Sequence, residues 1–231
     1  MMSRLLILFN LAAVFAIAAS FFGQVELRDS REKAVLKGRD YSGVVLWLEP
    51  VNGKPAPQPG RATMLQKDKK FIPHVLTVRT GSIIDFPNLD PIFHNAFSNY
   101  SGQIFDVGLY KPGSTRSVSF SRAGVVRVFC NIHPNMSAVI VVVDTPWYTA
   151  TREDGSFRIQ DVPPGEYRLH IFHERATADE LKRLARTVTI DAADVNAGTI
   201  AISETGYLPA PHLNKHGKPY PPGSDTYKVM R

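Results

Sequence analysis

Two β-rich runs, Val125-Val126-Arg127-Val128-Phe129 and Ala138-Val139-Ile140-Val141-Val142-Val143, bracket a single short segment. β-Branched side chains lose freedom in a helix and pack well on a pleated surface, so both runs read as strands. The segment between them is too short for anything but a tight connection. Its sequence is Cys130-Asn131-Ile132-His133-Pro134-Asn135-Met136. One strand-to-strand turn therefore gathers a thiol, an imidazole and a thioether, which can converge on one point.

The rest of the chain repeats the strand-and-turn pattern. Short apolar runs occur at residues 44–48, 75–78, 82–86 and 115–120, divided by Gly, Pro, Asn and Asp. A second set follows Pro146, at residues 156–159, 167–171, 187–190 and 198–202. Close turn spacing and period-two patches predict an all-β chain of sandwich or barrel type. Asp154-Gly155 predicts a hairpin turn. Thr177-Ala178-Asp179-Glu180 is a capping box and predicts one short helix near 178–185, the only one expected. Residues 50–61 read as a linker. Residues 206–231, rich in Pro and Gly without period, read as a flexible or surface-wrapping tail.

The N-terminus has a different character. Arg4 is followed by an apolar run from Leu5 to Ala19 broken only by Asn10, and small residues recur at Ala16, Ala18 and Ser20. This is the pattern of a signal peptide over residues 1–20, with cleavage after Ala18 or Ser20. The run is shorter than the ~20 residues that span a bilayer. The expected mature protein is exported, periplasmic or extracellular, with no transmembrane segment. A net charge of +6 is spread along the chain, with Lys67, Lys69 and Lys70 the one small cluster. No basic stripe points to nucleic acid.

Export sharpens the meaning of Cys130, the only cysteine. Oxidising compartments favour paired thiols, and a lone cysteine cannot pair within its chain. Metal binding is one way to hold it. A second imidazole, His94, follows the loop Asn88-Leu89-Asp90-Pro91. Two imidazoles, a thiolate and a weak thioether make the donor set of a mononuclear copper electron-transfer site. Zinc prefers four strong ligands, and iron–sulfur clusters need several cysteines. A nucleophilic Cys/His pair would leave Met136 and His94 unexplained.

Residues 64–144 resemble cupredoxins, the plastocyanin-like blue copper proteins, and the short Cys-x2-His-x2-Met loop is most similar to the amicyanin type. The resemblance rests on Phe71-Ile72-Pro73, Val78 to Gly81, Phe86-Pro87-Asn88-Leu89-Asp90, His94-Asn95 and Gly124 to Cys130. It implies a Greek-key cupredoxin sandwich over residues 62–144 that holds one copper ion. His94, Cys130 and His133 would be the equatorial ligands and Met136 the weak axial one. Asn95 would hydrogen-bond to the cysteine loop. His133 would be the more exposed ligand, with Ile92, Phe93 and Pro134 forming an apolar electron-exit patch beside it. The implied role is a one-electron carrier with redox protein partners, not an enzyme. Copper delivery without redox turnover, and a surface or carbohydrate-binding module carrying an attached copper site, remain open alternatives.

Thr149 through Phe157 and Val162-Pro163-Pro164-Gly165-Glu166-Tyr167 resemble carboxypeptidase regulatory-like domains, small transthyretin-like β-sandwiches. That implies a second sandwich from residues 24–50 and 146–205, with the copper domain inserted into it. Tandem modules are the alternative. Docking through this C-terminal sandwich is a further expectation. Trp147 and Tyr148 are expected to pack at the junction, and His74 to be structural. His212 and His216 have an i, i+4 spacing, but no helix is expected there.

Overall fold

The computed structural model describes residues 18–99, 102–191, 193–208 and 212–221. Most of the expected leader, residues 1–17, and the last part of the tail lie outside them. The chain opens with β1 (Ala19–Arg28), α1 (Lys33–Gly38) and β2 (Val45–Pro50). Ten strands follow: β3 (Arg61–Thr63), β4 (Leu65–Lys67), β5 (Lys70–Ile72), β6 (Val75–Arg79), β7 (Ser82–Pro87), β8 (Phe97–Ser98), β9 (Phe105–Asp106), β10 (Thr115–Phe120), β11 (Gly124–Phe129) and β12 (Ser137–Val143). It then continues through β13 (Tyr148–Ala150), β14 (Ser156–Val162), β15 (Gly165–Phe172), α2 (Ala178–Leu184), β16 (Arg186–Ile190) and β17 (Val195–Ser203). Among the described residues the fold is all-β with two short helices.

Strand pairing divides these elements into two sandwiches. One joins the sheet β14-β1-β17 to the sheet β13-β2-β15-β16. Its sheets draw on both ends of the chain, so it is discontinuous in sequence, and residues 61–143 sit between its halves. Phe21, Val25, Leu46, Leu48, Phe157, Ile159, Leu169 and Ile202 are among its core residues. Strand β1 begins at Ala19, earlier than the residue-24 start expected for this sandwich and inside the expected 1–20 leader. Ala19 and Phe21 are buried, which is why the strand extends so far.

The inserted sandwich packs the sheet β10-β7-β3 against β6-β12-β11-β8-β9. Strand β12 explains how the two bodies join. Side chains alternate across a strand. Ala138, Ile140 and Val142 enter the inner core with Phe86, Phe120 and Val128. Val139, Val141 and Val143 face the other way and form a second cluster with Val45 and Phe172 of the first sandwich. Both faces of β12 are buried, so the strand reads as continuous apolar sequence with no visible alternation. Each buried Val contributes about 1.5–3 kcal/mol relative to exposure. Tyr148 packs against that interface cluster, and Trp147 stands edge-on to Tyr167 at 5.3 Å in the neighbouring core.

Two expectations need correction. Asp154-Gly155 is a tight turn, with Gly155 at φ +82, but it makes no hairpin. Strand β13 pairs with β2, while β14 pairs with β1, because Val25 N–H captures the Gly155 carbonyl at 2.9 Å. Helix α2 forms where the capping box places it, and Thr177 accepts from Glu180 N–H at 3.3 Å. A second helix, α1, was not expected. It lacks a side-chain N-cap, and it ends at Arg39 in the left-handed region, so it carries no sequence signal. Of the two readings offered for the tail, residues 212–221 follow the surface-wrapping one and lie as a strap on the inserted sandwich.

Candidate metal centre

The hairpin β11–β12 builds most of the site. Its last register pair is Phe129 with Ser137. Cys130 N–H donates to Met136 O at 3.1 Å and Met136 N–H to His133 O at 3.0 Å, which folds the connection into a compact turn. The second segment enters through a bridge between His94 and Tyr110, which exchange both backbone hydrogen bonds. Asn88 fixes the approach: its side-chain N–H donates to Ile92 O at 2.8 Å.

These two segments bring Cys130 Sγ to 3.8 Å from His94 Nδ1 and 3.6 Å from His133 Nδ1. All three ligand atoms lie within 4.8 Å of one another. A metal–nitrogen bond of about 2.0 Å and a metal–sulfur bond of about 2.3 Å, opened to between tetrahedral and trigonal angles, would separate N and S by about 3.5–3.7 Å. The observed spacing thus fits one ion bound by all three groups. Met136 is buried in the same core cluster as Cys130. Thiolate, two imidazoles and thioether are soft to intermediate donors, the combination that suits copper.

The surroundings prepare each donor. His94 Nε2–H donates to Asp90 Oδ2 at 2.7 Å, which leaves the Nδ1 lone pair directed at the sulfur side. Burial pushes the His94 pKa down, against the pull of Asp90, and so favours the neutral ligand form. Burial alone would raise Asp90, but backbone N–H groups of Lys69 and Asp68 and the His94 hydrogen bond bring it below the usual carboxylate range. Burial raises the Cys130 thiol, while N–H groups of Ile132, Asn95 and His133 act the other way. A cation is needed to stabilise the thiolate in such a place. Asn95 Oδ1 accepts from Asn131 N–H at 3.3 Å, and its amide donates to Asp106 Oδ1 at 2.6 Å. It ties the His94 segment to the cysteine loop.

The expected exposure of His133 does not hold. His133 is 1% exposed, and His94, Cys130 and Met136 are equally enclosed. The strap lies on this loop. The His212 ring stacks on Phe129 at 4.0 Å, and its Nε2–H donates to Pro134 O at 2.5 Å. Tyr220 hydroxyl donates to Cys130 O at 2.8 Å. Lys215 N–H donates to Asn131 Oδ1 at 3.0 Å, and its Nζ pairs with Asp106 at 2.8 Å. Of the expected exit patch, Phe93 is exposed and Ile92 half-buried, whereas Pro134 is half-buried with its carbonyl held by the strap.

Sequence reasoning missed Asp90, Tyr220 and His212. Asp90 had a readable signal, a carboxylate four residues before a ligand imidazole. The strap residues had none, because their partners are 78 to 90 positions away. His74 is structural: Nδ1 lies 3.1 Å from Ser137 O and Nε2 2.9 Å from Glu174 of the first sandwich. His212 and His216 belong to no helix, and among the described residues only His94, Cys130 and His133 form a group that could hold a metal.

No protein-family model and no curated protein matches the chain. Solved structures do, over part of it. A copper-containing nitrite reductase from Thermus scotoductus is 26% identical over 42% of this chain, at a TM-score of 0.36. The match spans only 26% of the reductase chain. A purple cupredoxin from Nitrosopumilus maritimus is 20% identical over 36% of this chain and 99% of its own, at a TM-score of 0.33. An oxidised amicyanin variant is 20% identical over 36% of this chain and 82% of its own, at 0.34. Each of these likenesses covers less than half of this chain.

Proposed function

We propose that this chain binds one copper ion through His94, Cys130, His133 and Met136 and serves as an exported one-electron carrier. The observation that carries this reading is the convergence of two imidazole Nδ1 atoms on one buried thiol, at 3.6 and 3.8 Å. Bound copper would supply the one-electron couple. The protein's part is to hold the donors fixed in both oxidation states, which keeps the reorganisation small. Asp90 and Asn95 do this from one side, and the strap from the other. Complete enclosure of the four side chains favours retention of the ion over its delivery to an acceptor.

Export rests on the leader pattern, since residues 1–17 lie outside the described structure. No helix among the described residues is long and apolar enough to cross a membrane. The first sandwich, which we read as a carboxypeptidase regulatory-like module from its sequence, braces β12 through the Val139, Val141 and Val143 cluster.

The test is spectroscopic. The purified protein loaded with copper should show an intense visible thiolate-to-copper band and a type 1 EPR signal. Cys130→Ser should abolish the band. A copper-loaded variant with an unchanged spectrum would remove the ligand assignment. Copper passing to an acceptor protein without a redox change would favour delivery instead.

A further inference from the structure

We infer that electrons enter and leave through the face formed by the His94 loop, not the His133 edge, and that this face receives a redox protein with an acidic docking rim. The inference rests on the copper-carrier reading above.

The His133 side is already occupied. Strap residues 212–220 are fixed to Phe129, Cys130, Asn131 and Pro134 through a ring stack and three hydrogen bonds. A partner approaching there would meet the strap before the ligand loop. The strap itself offers one large exposed apolar side chain next to that loop, Leu213.

The His94 side is open and apolar. Leu89, Phe93 and Leu109 are 55%, 51% and 57% exposed. They lie on segments knitted together around His94. Leu89 N–H donates to Gln66 O at 2.8 Å, and His94 and Tyr110 exchange hydrogen bonds at 3.2 and 2.9 Å. In such an antiparallel bridge the flanking residues face each other, which sets Phe93 across from Lys111. Large exposed apolar residues grouped in this way mark interaction surfaces.

The rim is cationic. Lys67 and Lys70 are exposed at the two ends of the β4–β5 turn, and Lys111 is exposed across from Phe93. The turn is fixed beside the site, because Asp68 and Lys69 N–H donate to Asp90 at 2.7 and 2.9 Å. Asp68 is the turn's one acidic residue, and the lysines outnumber it. An apolar centre with a charged rim is the anatomy of a docking interface. Cationic rims steer anionic partners.

The path inward is short. Phe93 is bonded to His94, and Leu89 to Asp90, whose carboxylate accepts from His94 at 2.7 Å. The step is a bare electron transfer: the partner is oxidised by one electron as the centre is reduced, or the reverse, with no atom or proton moving.

Small probes of opposite charge test this on the full-length, copper-loaded protein. The reduced protein is oxidised by ferricyanide, an anion, and by tris(phenanthroline)cobalt(III), a cation, and the return of the visible band gives each rate. The triple variant Lys67→Glu, Lys70→Glu, Lys111→Glu should lower the ferricyanide-to-cobalt rate ratio by about tenfold or more at low salt. The change should shrink at high salt. Lys218→Glu, on the strap, should leave the ratio nearly unmoved. A ratio that responds to Lys218→Glu and not to the triple variant would place the exit over the strap and overturn the inference, as would a ratio that responds to neither. If the unaltered protein has no visible band, the copper reading fails and takes this inference with it. A normal band with an unresponsive ratio overturns this inference alone.

Discussion

Asp90 Oδ2 accepts a 2.7 Å hydrogen bond from His94 Nε2, with both side chains buried and the carboxylate also held by two backbone N–H groups. A carboxylate in this position raises the basicity of a ligand imidazole and fixes its tautomer. An electron-rich ligand favours the higher charge on the metal. Asp90→Asn should therefore leave the visible band in place but weaken Cu(II) binding about tenfold, measured by chelator competition. If Cu(I) binding is unaffected, the potential should rise by about 60 mV, measured by redox titration. A fall in potential would contradict the role given to Asp90.

The strap makes its own prediction. Tyr220 hydroxyl donates to the carbonyl of Cys130, and burial together with the Cys130 charge raises its pKa, so it remains a donor. Tyr220→Phe removes one hydrogen bond worth about 1 kcal/mol, roughly a fivefold change in strap opening. Hydrogen exchange of residues 212–220 should accelerate by that factor while exchange in β12 stays unchanged. Equal acceleration in both would mean that the strap does not open separately.

His74 links the two sandwiches and is sensitive to pH. Its hydrogen bond to Glu174 raises its pKa above the ordinary histidine value, despite partial burial. The group is charged in both states below about pH 6.5, so the stability from this pair is complete there. It is lost as pH rises through the raised folded value. Glu174→Gln should remove this dependence. The Tm difference between the native chain and the variant should be largest near pH 6 and should narrow toward pH 9. A constant difference would show that the pair contributes no charge-dependent stability.

Strand β1 bears on the leader. Ala19 is buried opposite Val162, and Ser20 N–H donates to Asp194 at 2.8 Å. Cleavage after Ala18 would leave this strand whole, whereas cleavage after Ser20 would remove a buried residue and a hydrogen bond. N-terminal sequencing of the exported protein should begin at Ala19. A start at Phe21 would mean that the first turn of this pairing is dispensable.

Local sequence was enough to read the β11–β12 hairpin, the capping box at Thr177 and three of the four proposed ligands. In each case the residues that make the structure are neighbours in the chain. Asp154-Gly155 shows where that stops. The dipeptide specifies a turn, but the partners of its flanking strands, β1 and β2, are more than a hundred residues earlier, and they send the two strands to different sheets.

The cysteine loop by itself carried the proposal about its chemistry, because thiol, imidazole and thioether within one tight turn leave few metals to choose from. Tertiary structure decided what surrounds that centre. The approach of His94 to Cys130, the discontinuous sandwich behind β12 and the strap over Cys130 all join residues distant in sequence. Their contacts depend on burial and backbone hydrogen bonds that form only once the sheets have assembled, and so no local pattern announces them.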